Sequence, residues 1–303
     1  MSAPSSQQIQ NSKKGIVLVL AAMALYVIND SLVKLSTKLY PVEQILVVRG
    51  IFASLLMLGV IIASGHFNKI KDSLEKLIII RAIAEALVAA SFITALTHLP
   101  IADLTAIMQT TSIIIVVITA ITGLERVTPS LWIAVMLGFF GVLLMVKPGA
   151  SDFNIYTLIG LLTTFFVAAR DLITRKINPA IPTAIVSLTT TLSVVIIGLI
   201  PGIGHWAPLE WRETLYLLAA AVFVTVGNLC AVKAHRIAAP SLLAPFRYSV
   251  LIWAFLSGLV IFGDWPDLFT LIGSGLIVAA GLFTMHGEQK KTQNKSDSDI
   301  KSA

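Results

Sequence analysis

The chain has one cysteine, Cys230, so it forms no internal disulfide, and no Cys/His spacing of a zinc site is present. It has no Gly-x-x-x-x-Gly-Lys-[Ser/Thr] loop, which excludes ATP hydrolysis by this chain. His-Glu-x-x-His and Gly-x-Ser-Gly are absent too, and Phe262-Gly263-Asp264 lacks the earlier glycine of Gly-x-Gly-Asp. An intramembrane enzyme, the competing class of function, therefore has no recognisable nucleophile or metal motif. Charge is scarce: 13% of 303 residues are Asp, Glu, Lys or Arg, against roughly 25% for a soluble domain. The formal charge of +6 is spread over short loops rather than a basic folded domain, which argues against nucleic-acid binding. No cofactor is implied.

What is abundant is apolar sequence, 56% of the chain, in long continuous runs rather than alternating ten-residue ones. Such runs predict transmembrane helices rather than a barrel. Lys13-Lys14 followed by an apolar stretch resembles a signal peptide, but the run continues past Asp30 and reads as the first helix. Ten spans are expected, at about 15–37, 42–64, 77–98, 101–123, 130–147, 155–176, 182–203, 213–235, 239–262 and 267–286. Pro41, Pro100, Pro129, Pro148, Pro182, Pro208, Pro240 and Pro266 mark the joints. Residues 1–14 and 288–303 are polar and are expected to be disordered cytoplasmic tails.

With the N-terminus inside, 15 of the 22 basic residues fall on the cytoplasmic side and three, Lys38, Lys147 and Arg212, on the other. This is the positive-inside pattern of a multi-pass protein of a bacterial inner membrane, with both termini cytoplasmic. Five spans per half send the second half into the bilayer upside down, so residues 15–148 and 149–287 are expected to be inverted repeats. Asp30-x-x-x-Lys34 returns as Asp171-x-x-x-Arg175 at an offset of 141, Gly141 returns as Gly281 at 140, and Gln109 corresponds to Arg247 at 138.

Charges inside apolar spans are costly, of order 3 kcal/mol each even on a lenient scale. The i,i+4 spacing puts Asp30 and Lys34 on one helix face, as it does Asp171 and Arg175, where each pair can partly neutralise itself. By depth, Asp30, Lys34 and Arg49 form one group in the outer half, and Glu85, Asp171 and Arg247 another in the inner half. Two groups on opposite sides of the midplane suit gates that open alternately. Glu85 is either the proton-coupling acid or an ion-pair partner of Arg247. Arg247 follows Pro245, where a freed carbonyl and a kink are expected. Its fork of donors and the flanking Phe246 and Tyr248 suit a planar heterocycle with a carbonyl or phosphate. Gln109 and Asn228 are further candidate substrate contacts, each as readily a helix-packing hydrogen bond.

The ten-span layout, Asn29-Asp30…Lys34, Leu99-Pro-x-Ala-Asp103, the run from Gly141 to Pro148 and Ala244-Pro245-Phe246-Arg247-Tyr248 resemble the drug/metabolite transporter superfamily, EamA type. Within it they are similar to the branch of bacterial riboflavin and S-adenosylmethionine transporters. The resemblance implies two five-helix bundles around a central cavity and a water-soluble metabolite as substrate. Riboflavin is the first expectation and S-adenosylmethionine the second. With no ATP-hydrolysing loop, gradient coupling, by protons, or exchange is expected, and a homodimer is a further expectation.

Overall fold

The computed structural model describes residues 6–122, 129–146, 154–174, 176–201, 204–237, 243 and 246–283. Among them there is no strand. The helices are α1 (Ser6–Ser36), α2 (Val42–Ala63), α3 (Lys76–His98), α4 (Ile101–Met108), α5 (Thr111–Ile121), α6 (Pro129–Val146), α7 (Ile155–Thr174), α8 (Thr183–Leu199), α9 (Trp211–Ile237), α10 (Ser249–Ser257) and α11 (Leu268–Phe283). A short 3₁₀ helix, Phe67–Leu74, joins α2 to α3, and a π turn, Gly258–Phe262, continues α10.

Proline sets several starts. Pro41, Pro100 and Pro182 are the N-cap residues of α2, α4 and α8, with φ between −66° and −55°, the value the ring enforces, and none supplies a side-chain cap. Lys13–Ser36 within α1, α2, α3, α7 and Trp211–Ala234 within α9 are each long and apolar enough to cross a membrane, since 20 residues rise about 30 Å. Five shorter apolar helices accompany them.

Two expectations change here. α1 begins at Ser6, so the polar stretch from Ser6 to Lys14 extends the helix instead of forming a tail; Gln and Lys are good helix formers, and the apolar run behind them supplies the nucleus. The single helix expected over 101–123 is two helices, broken at Gln109–Thr110. Thr110 turns its hydroxyl onto the Ile107 carbonyl at 2.7 Å, a local bond that competes with the helical ladder. The tail expected over 288–303 and the joint at Pro148 lie outside the described residues.

The helices of the two halves interleave. α1 packs on α9, α2 on α8, and α3 on α7. The first pair closes where Gly227 leaves room for the Tyr26 ring. The second closes where Gly50 meets Val195 and Gly198 meets Val47, with Ser54 donating to Thr191 at 2.9 Å. Along the third, Thr163 donates to Ser91 at 2.8 Å, Arg81 donates to Thr174 at 2.9 Å, and His98 stacks on Tyr156 with ring centroids 3.5 Å apart. At one end, the amide of Gln44 exchanges hydrogen bonds with the backbone of Ala207 (2.8 and 2.9 Å), and the Glu210 N–H donates to the Tyr40 hydroxyl at 2.7 Å. α6 and α11 cross with their backbones touching at Gly141 and Gly273.

Candidate functional site

The packing of α1, α2, α3 and α7 draws their charges into one row. Glu85 of α3 receives Arg170 of α7 at 2.9 Å, and Arg81, one turn before it on α3, at 4.0 Å. Arg170 also grips Asp171 at 2.8 Å. Arg49 of α2 interacts electrostatically with both Glu85 and Asp30. Its hydrogen bond goes to the side-chain oxygen Oδ1 of Asn29 at 3.2 Å, and the Asn29 side-chain amide N–H donates to Asp30 at 2.8 Å. Asn29 is 4% exposed, while Asp30 and Arg49 are half-buried. Glu85, Asp171, Arg81 and Arg170 thus form one ion-paired cluster, and Asp30, Asn29 and Arg49 a hydrogen-bonded group within electrostatic reach of it.

The pairings expected from spacing are replaced by others. Lys34 does not turn to Asp30: its ammonium donates to the Leu99 carbonyl at 2.8 Å, reaches Asp264 at 3.5 Å and lies 4.8 Å above the Phe262 ring. Leu99 caps the C-terminus of α3, where a carbonyl has lost its intrahelical donor and attracts a cation. Asp30 has Asn29 beside it instead. Asp171 pairs with the adjacent Arg170, while Arg175 lies outside the described residues. Glu85 is bound by Arg170, a guanidinium that sits on the packed neighbour α7, and not by Arg247.

A second polar zone lies on α9 and around the break before α10. The Tyr26 hydroxyl of α1 donates to Asn228 at 2.8 Å, and Asn228 is exposed. Tyr26 has Arg247 and Cys230 as electrostatic neighbours. Arg247 is exposed, and Tyr248, the residue before α10, is bonded to Ser112 of α5. The Tyr248 hydroxyl occupies the place where a Cβ on Gly281 would stand. Gln109, half-buried, caps α4, which packs against α10, so the two interrupted helices are neighbours. Phe246 instead joins the apolar cluster of Val19, Met23 and Leu243 and is a packing residue.

Arg170, Tyr26 and Arg81 are the members that the sequence reading missed, whereas Ser112 was among the polar groups of the fourth span expected at the cavity. Arg170 was visible as a charge in a span, yet adjacency to Asp171 hid that it also reaches α3. Tyr26 carries no charge and follows no spacing rule. Among the described residues no three His, Cys, Asp or Glu side chains form a metal-ligand group. The arrangement holds donors, one exposed guanidinium and a half-buried charge cluster, which suits binding and translocation of a polar solute.

Residues 13–147 match the EamA-like transporter family. The chain is similar to the S-adenosylmethionine uptake transporter of Rickettsia prowazekii (strain Madrid E), 25% identical over 296 residues, covering 94% of this chain and 96% of that one. It is 26% identical over 172 residues to the riboflavin transporter of Vibrio cholerae serotype O1, covering 56% of this chain and 58% of that protein. A solved crystal structure shares the fold, with a TM-score of 0.61 at 17% identity over 89% of this chain and 96% of the other.

Proposed function

We propose that this chain, a multi-pass membrane transporter of the drug/metabolite superfamily with an EamA-like domain over residues 13–147, is a secondary transporter for a metabolite that carries a planar heterocycle. It is not an enzyme. S-adenosylmethionine is placed ahead of riboflavin as substrate, reversing the order expected from sequence. The observation that supports this choice is coverage: similarity to S-adenosylmethionine transporters runs over 88–94% of the chain, to riboflavin transporters over 56% and 70%.

The site reading rests on the second polar zone. Arg247 offers its fork to the carboxylate of the substrate, while Tyr248, Tyr26, Asn228 and Gln109 supply donors, acceptors and an aromatic face for the heterocycle. Ten crossings, in two inverted repeats of residues 15–148 and 149–287 with cytoplasmic termini in a bacterial inner membrane, remain the proposed architecture. The helix pairing supports it. Exchanging the halves turns α1 on α9 into α7 on α3 and returns α2 on α8 to itself, as a pseudo-two-fold axis in the membrane plane requires. Interrupted helices before α5 and before α10 then face each other across that axis.

The test is counterflow in proteoliposomes of the full chain, with labelled S-adenosylmethionine and riboflavin in separate arms. Saturable exchange of S-adenosylmethionine is expected. Riboflavin exchange alone would restore the other substrate, and exchange of neither would overturn the reading.

Gly281→Ala tests Tyr248 without altering it. The new methyl takes the space of the hydroxyl, moves the ring off Ser112 and is expected to raise the apparent KM about 5–20-fold, the loss of one well-placed contact. Gly275→Ala on the same helix meets nothing within 4 Å and should transport normally. An unchanged KM in Gly281→Ala would remove Tyr248 from the site.

A further inference from the structure

Resting on the transporter reading, we propose that Asp30 is the carboxylate that exchanges the coupling proton, and that Arg49 passes the change in its charge to Glu85. This moves the coupling role away from Glu85, the acid expected to hold it from depth alone.

The three acids of the row are not equivalent. Glu85 has its charge balanced by Arg170 at 2.9 Å and by Arg81 at 4.0 Å. A proton placed there would strand these two guanidiniums with Asp171 as their shared acid, in a half-buried place where solvent screens an unmatched charge only in part. Asp171 is gripped at 2.8 Å by the same Arg170. Asp30 differs because its hydrogen-bond partner is an uncharged amide, Asn29, at 2.8 Å. Arg49 reaches it at one remove, through the other end of that amide at 3.2 Å. When Asp30 takes a proton, Arg49 keeps its bond to Asn29 and has Glu85 within electrostatic range. No direct ion pair is broken, unlike protonation of Glu85 or Asp171, so this is the acid of the row whose charge can change at least cost.

Other titratable groups surround it. On α2 there is Arg49, and within its electrostatic reach Glu85 on α3. On α1 itself Tyr26 lies one turn before Asp30, with Arg247, Arg170, Cys230 and Glu85 as electrostatic neighbours, and on α9 Asn228, which does not titrate, accepts from Tyr26. On α10, Ser257 bonds Ser31 at 2.6 Å. Lys34, one turn from Asp30, is turned away to Leu99 and Asp264.

The geometry also gives the charge change somewhere to go. α1 carries Asp30, Ser31 and Lys34 in succession, and these touch Asn29 with Arg49 of α2, Ser257 of α10 and the joint between α3 and α4. As Asp30 becomes neutral, Arg49 shifts its attraction toward Glu85 and competes there with Arg170. The contact of α1 with α2 weakens while that of α2 with α3 strengthens. Loss of the proton reverses this. The proton is the only species gained or lost, and its source and sink are the water on the two faces of the membrane.

Two measurements on the full-length protein separate the outcomes. The first needs no substrate: infrared difference spectra of protein in lipid, across an acid-to-neutral titration. A protonated-carboxyl band that disappears on titration is expected in the wild type, absent in Asp30→Asn, shifted in Asp30→Glu, and retained in Glu85→Gln. A band that vanishes in Glu85→Gln and persists in Asp30→Asn overturns the proposal, and Asp30→Glu still reports if Glu85→Gln does not fold. The second compares counterflow with accumulation driven by a pH gradient, using S-adenosylmethionine. Asp30→Asn should keep counterflow and lose gradient-driven accumulation. Accumulation that survives in this variant overturns the proposal. A wild type with the titrating band but no counterflow would instead sink the transporter reading for that substrate.

Discussion

Arg170→Met should unfold well below the wild type. Arg170 is the one side chain that holds Glu85 at 2.9 Å and Asp171 at 2.8 Å together, and methionine keeps the helix and much of the volume while removing the charge. Breaking a buried pair by deleting one partner costs more than the pair was worth, because the survivor stays desolvated and unmatched. The three side chains retain 23–37% exposure, so solvent screens part of the loss, and about 2–4 kcal/mol is expected. Glu85→Gln should cost less, since Arg170 keeps Asp171. Combining Glu85→Gln with Arg170→Met should recover part of the loss, because the acid is then no longer stranded. Thermal unfolding in detergent measures all three. An Arg170→Met protein that melts with the wild type would mean the row is solvated and structurally idle.

The second large effect is steric. At the crossing of α6 and α11, a Cβ on Gly141 would lie 2.8 Å from the Gly273 carbonyl oxygen, and one on Gly273 would lie 2.7 Å from the Gly141 oxygen. Both obstacles are backbone and neither can rotate away. Membrane helices associate through this kind of close approach, since lipid gives them no hydrophobic drive toward each other. Gly141→Val must push the helices apart and is expected to destabilise by about 2–4 kcal/mol, the upper range of overpacking with lost interhelical contacts added. Gly275→Ala, two positions from Gly273 on α11 and facing open space, should leave the melting temperature unchanged. Equal melting of the Gly141→Val and Gly275→Ala proteins would show that the crossing is loose.

Much of this protein was legible before its structure. A hydrophobic share of 56% with 13% charge dictates a helical membrane protein, because backbone polar groups in hydrocarbon have to be satisfied within the segment. Proline-marked joints predicted where α2, α4 and α8 begin. Asp30, Glu85, Arg49 and Asp171 stood out as costly charges, and Leu99-Pro-x-Ala-Asp103 and Ala244-Pro245-Phe246-Arg247-Tyr248 carried the family resemblance. The break at Gln109–Thr110 was not visible, since Thr and Gln are tolerated within helices and only the bond of Thr110 to Ile107 reveals the turn.

Sequence alone determined the class, the family resemblance and the presence of acids and bases within the spans. Partnership was decided by tertiary structure alone. The i,i+4 rule placed Lys34 near Asp30, yet a long side chain chooses among every acceptor within its reach, and a carbonyl freed at the end of α3 together with Asp264 beyond α10 won. Glu85 found Arg170 because α3 lies on α7, a neighbour relation that no spacing along one helix encodes. Which acid hydrogen-bonds an uncharged amide, as Asp30 does Asn29, and which pairs directly with a guanidinium, as Glu85 does Arg170, is a property of that packing.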